Sequence, residues 1–171
     1  MSKFLVLYSS QTGNTKQVAE AIAACLPRET ACLPLAEAPN SFAEFDCVFL
    51  GFWVDRSKAD AKTLEILPRL DAKNVALFMT LGASPASPHA AKCMDETAKL
   101  LPPGTVCQGT FICQGKIDPK VIEMMYKMFP PGSPHGQSPE RDALHAEAAK
   151  HPNPTDLANA QNFANEVLLK L

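Results

Sequence analysis

Short, largely apolar runs alternate along this chain with longer stretches in which apolar positions recur every three or four residues. The runs are Phe4 to Tyr8, Ala31 to Leu35, Cys47 to Phe52, Val75 to Leu81 and Val106 to Cys113. Their length and content predict five β-strands. Helical spacing appears in Val18, Ala21, Ile22, Cys25 and Leu26, again in Leu64, Leu67 and Leu70, and again in Leu157, Ala160, Ala164, Leu168 and Leu171. Strands that alternate with helices in this way build βαβ units, so the pattern predicts an α/β fold. Phe4-Leu5-Val6-Leu7 and Val75-Ala76-Leu77-Phe78-Met79 are continuously apolar, as strands are when helices cover both faces of a parallel sheet. Pro34 cannot donate to a strand ladder, which places the second strand at a sheet edge.

The last helix carries its own start signals: Asn153 as N-cap, Pro154 at the first helical position and Asp156 three residues after the cap. Another helix is expected over Pro119 to Phe129. Between the two lies Pro130 to Pro154, with six prolines and three histidines, interrupted by a short helix from Ser138-Pro139-Glu140 to Ala149. Residues 130–154 are therefore expected to be an insertion before the C-terminal helix. Connections of this length are usually functional or mobile.

Composition narrows the picture. A chain of 171 residues with 46% apolar content matches one domain over 1–171. With 16 basic and 18 acidic residues there is no electrostatic footprint for nucleic acid or for an anionic membrane. No run approaches the roughly 18 apolar residues of a membrane span, and Met1-Ser2-Lys3 runs into a core too short for a secretory leader. These features predict a cytoplasmic protein. The six cysteines form no Cys-x-x-Cys pair and lie mostly in apolar segments, so they are read as reduced, packed thiols. The four histidines are scattered, and no metal site is expected.

Chemistry concentrates where the first strand ends, at Ser9-Ser10-Gln11-Thr12-Gly13-Asn14-Thr15, directly before a helix. Amides at a helix N-terminus attract a phosphate, and Ser10, Thr12 and Thr15 add hydroxyl donors. Gly13 lets the backbone curl close to a ligand, and Asn14 is expected to help start the helix. The loop lacks the lysine of a nucleotide triphosphate loop and the three glycines of a dinucleotide fingerprint. It suits a monophosphate.

With this loop the chain resembles the flavodoxin family, well over residues 1 to about 115 and in outline beyond. The resemblance implies a three-layer, doubly wound, five-stranded parallel sheet of order 2-1-3-4-5, which puts the second strand at the edge that Pro34 requires. It implies an FMN cofactor whose ring is held by two further loops, here Gly51-Phe52-Trp53-Val54-Asp55-Arg56 and Leu81-Gly82-Ala83-Ser84-Pro85. The expected cofactor-binding residues are Ser9, Ser10, Gln11, Thr12, Gly13, Asn14 and Thr15 at the phosphate, and Phe52, Trp53, Val54, Asp55, Leu81, Gly82, Ala83 and Ser84 at the ring. Trp53, the sole tryptophan, stands where the family stacks an aromatic side chain. The second loop departs from the family in having Gly82, Ala83 and Ser84 where many members carry tyrosine and acidic residues. One face of the ring is then open to a substrate or to the insertion.

The resemblance implies an electron carrier that serves a redox partner protein. The net charge of −2 is weak for such a carrier, and Arg56 and Lys58 follow Asp55 beside the ring position. Two alternatives stay open: an FMN-dependent NAD(P)H:quinone or flavin reductase, and a flavin-binding module without turnover. The segment Gly109 to Asp118, with the tail containing His151-Pro152, is similar to a bacterial branch of flavodoxin-domain proteins associated with reductases of linear tetrapyrroles such as bilirubin. That implies a reductase as partner. Cys113 and Lys116 are read as the end of an edge strand, without a catalytic role.

Overall fold

The apolar runs become the strands of one sheet, the three central ones buried on both faces and the two at its edges only partly covered. The computed structural model describes residues 3–171; Met1 and Ser2, which the leader argument used, lie outside them. The elements are β1 (Phe4–Tyr8), α1 (Asn14–Ala23), β2 (Ala31–Pro34), β3 (Cys47–Asp55), β4 (Lys58–Ala59), α2 (Ala61–Ile66), β5 (Asn74–Leu81), α3 (Pro88–Ala98), β6 (Val106–Gln114), α4 (Pro119–Met128), α5 (Pro139–Ala148) and α6 (Pro154–Leu168). The main strands run in the order β2-β1-β3-β5-β6, all parallel, with β4 attached to β3 alone. Apart from that short extra strand, this is the doubly wound order expected, and Pro34 does lie on the edge strand β2.

Side chains alternate between two cores across the sheet. On one face Leu5, Leu7, Leu50, Phe52, Leu77 and Met79 meet α2, the 3-10 turn after it and α3 through Ile66, Leu67, Ala90 and Met94. On the other, Val6, Phe49, Ala76 and Phe78 meet α1 through Val18 and Ile22, and α6 through Ala160, Phe163 and Ala164. Phe163 fixes α6 by meeting Phe49 edge-on, with centroids 6.2 Å apart, and stacking on Phe111 at 5.8 Å. Each of the buried Val, Leu, Ile, Met and Phe side chains contributes about 1.5–3 kcal/mol. Gly51 is required at its place because a Cβ there would fall 2.1 Å from the Phe78 ring.

The expected capping box of α6 is present, with Asn153 and Asp156 exchanging side-chain and backbone hydrogen bonds. Helices α4 and α5 also occupy the predicted stretches. They lie outside the two cores: α4 has no buried residue and α5 only Ala148. Tyr126 joins them by donating to Asp142 at 3.0 Å, while Arg141 donates to the Pro134 carbonyl.

One expectation needs correction, and one helix was not anticipated. The third strand does not stop at Phe52; it continues to Asp55 and turns back through Arg56 and Ser57 into β4, with Asp55 paired to Lys58. Both turn residues have positive φ, 49° and 69°, the conformation of a two-residue hairpin turn. Helix α3, which the hydrophobic spacing did not bring out, is started by Ser87, whose Oγ accepts the Ala90 amide, and by Pro88 in the first turn.

Candidate functional site

The chain leaves β1 in one direction to reach β2 and returns on the other side to β3, so a crevice opens at the carboxyl ends of β1 and β3, where doubly wound folds bind ligands. Three segments border it.

The first is the loop from β1 to α1. The Ser9 amide extends the sheet ladder by donating to Gly51 O at 2.9 Å. Its hydroxyl donates at 2.7 Å to the buried carboxylate of Asp60, which also accepts the Thr63 hydroxyl and amide at the start of α2. The Ser9 side chain therefore belongs to the scaffold and does not face a ligand. Gly13 has φ +97°, left-handed backbone that only glycine adopts without strain, and nothing lies within 4 Å of a Cβ placed there. Its conformation, not crowding, selects glycine. Ser10 Oγ accepts the amides of Gly13 at 3.1 Å and Lys16 at 3.3 Å. Asn14 and Thr15, in the first turn of α1, have amides with no acceptor inside the helix.

The hydroxyls divide into two groups. Thr15 is buried and its Oγ1 lies 2.8 Å from that of Thr80 on β5, so this hydroxyl positions the helix instead of facing outward. Ser10 is half-buried, and Gln11 and Thr12 are exposed. Asn14 does not cap the helix; its Nδ2 donates at 2.8 Å to the Lys116 carbonyl, beyond β6. A cavity of about 230 Å³ lies at this junction, lined by Thr12, Asn14, Lys116, Asp118 and Pro119. Free first-turn amides, exposed hydroxyls and a lysine form a donor set that fits a phosphate monoester.

The second segment is the β3–β4 hairpin. Trp53 is half-buried, belongs to neither core, and lies in register with Thr80, on the sheet face that carries α1. The indole thus stands beside the Thr15–Thr80 contact. Phe52 points the opposite way and is fully buried against the α2 and α3 core, so its ring cannot touch a ligand in the crevice. Strand alternation is the reason: adjacent residues face opposite sides. Val54 likewise packs against that core, and Asp55 is exposed at the hairpin end.

The third segment follows β5. Leu81 is buried and Gly82 O accepts Gln114 Nε2 at 3.0 Å. Ile117 lies over Gly82 so closely that a Cβ there would meet it at 2.4 Å. Ala83 packs on the core, while Ser84 is exposed and its carbonyl accepts the Ser87 hydroxyl and amide. The β6–α4 loop is the segment that covers Gly82.

Two residues at the site escaped the sequence reading although each left a trace. Asp60 precedes an amphipathic segment in N-cap position, and Thr80 is a polar residue inside an apolar strand. The thiols add no nucleophile: burial raises Cys113 and Cys47 to about 12 and Cys32 to about 11, so they are protonated at neutral pH. All six cysteines are free; Cys47, Cys93 and Cys113 are buried, whereas Cys107 is exposed. Among the described residues no helix is long and apolar enough to cross a membrane.

A parallel sheet of this order, with a hydroxyl-bearing turn leading into α1 and an aromatic strand end beside it, defines a flavodoxin-like protein. The chain matches the flavodoxin domain family over residues 5–165 and belongs to it. It is 33% identical over 172 residues to the flavodoxin-like domain-containing protein BilS of Clostridioides difficile (strain CD3), covering 98% of this chain and 97% of that protein. Among solved structures it is similar to a Fusobacterium nucleatum flavodoxin bound to flavin mononucleotide, at 13% identity and a TM-score of 0.55, covering 100% of this chain and 99% of that one. It is also similar to rubredoxin oxygen:oxidoreductase from Desulfovibrio gigas, at 14% identity and a TM-score of 0.58, covering 99% of this chain but only 36% of that one.

Proposed function

We propose that this protein binds one FMN in the crevice between β1 and β3 and acts as an electron carrier for a redox partner enzyme. The single observation that carries the reading is the convergence of the Gly13 turn and Trp53 on one side of the sheet, through the register of Trp53 with Thr80 and the contact of Thr80 with Thr15. When bound, FMN supplies the redox chemistry, accepting and releasing electrons at its ring. The chain's own residues bind and orient. First-turn amides of α1, with the Ser10 and Thr12 hydroxyls, hold the phosphate; Thr15 and Asp60 fix the loop from behind. Trp53 offers an aromatic face to one side of the ring, and the segment Gly82, Ala83 and Ser84, with Ile117 lying over Gly82, borders the other.

The fold's occurrence as about a third of the length of the Desulfovibrio gigas oxidoreductase is in keeping with electron delivery to a larger enzyme. A reductase is the partner that the sequence features favour, and a cytoplasmic setting accords with the free thiols.

The test is the visible spectrum of purified protein, with mass analysis of the released cofactor, followed by NADPH addition. A stoichiometric FMN spectrum with slow NADPH oxidation is expected. A colourless protein that does not bind added FMN overturns the cofactor assignment. Rapid NADPH oxidation by the isolated protein replaces the carrier reading with that of a reductase.

A further inference from the structure

We propose that Lys116 is a phosphate-binding residue, supplying from the β6–α4 loop a positive charge that makes the site selective for a phosphorylated flavin. The inference rests on the FMN reading above and goes beyond the phosphate loop itself, which contains no basic side chain between Ser9 and Thr15.

The backbone of Lys116 is fixed on both sides. Its amide donates to His151 O at 2.9 Å, and its carbonyl accepts Asn14 Nδ2 at 2.8 Å. Gly115 allows this approach, since a Cβ there would lie 2.6 Å from Asn14 Nδ2. The lysine stem therefore starts at the rim of the cavity of about 230 Å³ that it shares with Thr12 and Asn14.

Among the described residues the ammonium of Lys116 is in no ion pair, whereas Lys16 on α1 faces Glu20 at 3.9 Å. Asp118 also lines the cavity; its carboxylate accepts the Lys120 amide at 2.9 Å as the N-cap of α4 and keeps its negative charge, which the Lys116 ammonium offsets. Lys116 is thus the uncommitted cation at the anion-binding end of the crevice. A phosphate bearing more than one negative charge gains from such a neighbour, and the gain is screened by salt because the side chain is exposed.

Affinities of FMN and riboflavin, measured by flavin fluorescence quenching on the full chain and on Lys116→Gln and Lys116→Arg, test this. Lys116→Gln should weaken FMN about tenfold at low ionic strength while riboflavin changes less than about twofold, and Lys116→Arg should restore most of the loss. High salt should bring wild type toward the glutamine variant. An unchanged ratio of FMN to riboflavin affinity in Lys116→Gln, with wild type binding FMN, overturns the inference and leaves the cofactor assignment standing. Equal loss for both flavins also overturns it, since that marks a general change in the site. Failure of wild type to bind FMN removes the reading on which it rests.

Discussion

Thr15 and Thr80 face each other with their hydroxyl oxygens 2.8 Å apart, one in the first turn of α1 and the other near the end of β5. Both are buried, so neither hydroxyl can turn to water when its partner is removed. Replacing either threonine alone by valine should cost about 1–3 kcal/mol, because a polar group is left unsatisfied, while the double replacement should cost less than the sum. Urea denaturation of the four proteins measures the coupling. FMN affinity should fall in both single variants, since the helix start loses its anchor.

Trp53 belongs to neither core, which separates ligand contact from packing. Trp53→Ala should lower flavin affinity by about tenfold or more, in keeping with the worth of an aromatic stack, yet lower stability by only about 1 kcal/mol. Phe52→Ala, one residue away in the core, should cost roughly 3–5 kcal/mol. Flavin titration and denaturation of both variants check the contrast.

His151 lies in the short connection between α5 and α6. Its Nδ1 faces Asp156 and its Nε2 faces Glu147, and the hydrogen bond to Asp156, then that to Glu147, raises its pKa above the usual histidine value. A raised folded-state pKa means that the extra stability is complete below about pH 6.5, where the unfolded histidine is also charged, and is lost as pH rises through the folded value. His151→Ala should therefore cost about 1–2 kcal/mol at about pH 5.5 and distinctly less at about pH 9. Denaturation at the two pH values decides it.

Arg56 lies at the exposed tip of the β3–β4 hairpin, next to Asp55 and Lys58. An exposed cation near a reduced, anionic ring in water is worth about 0.5 kcal/mol, on the order of 20 mV per electron. Arg56→Ala should make the second reduction potential more negative by that amount. Unchanged potentials in a redox titration would remove the cation from the account.

The sheet was legible in the sequence because parallel strands buried on both faces must be continuously apolar, and the run at Val75 to Leu81 reproduces β5 almost residue for residue. The Asn153 cap and the Gly13 turn were legible for a similar reason: local backbone chemistry admits few residue types there. What escaped depends on distant partners. Nothing near Ser9 announces that its hydroxyl belongs to Asp60, 51 residues away. The Arg56-Ser57 turn lacks the Asn-Gly or Asp-Gly signature of hairpins, so the extension of β3 was hidden, and with it the inward face of Phe52. Lys116 looked like a strand end because its place in the cavity arises only when the loop after β6 meets the start of α1.

The hairpin has one more effect. Trp53 is held in β3 by β5 on one edge, and its carbonyl accepts the Asp60 amide at 3.1 Å on the other. On the proposed reading, a ring arriving in the crevice meets a wall whose backbone is already hydrogen-bonded on both edges. Little backbone entropy is forfeited on capture, and the association rate should be set by diffusion and orientation instead of by a slow closing step.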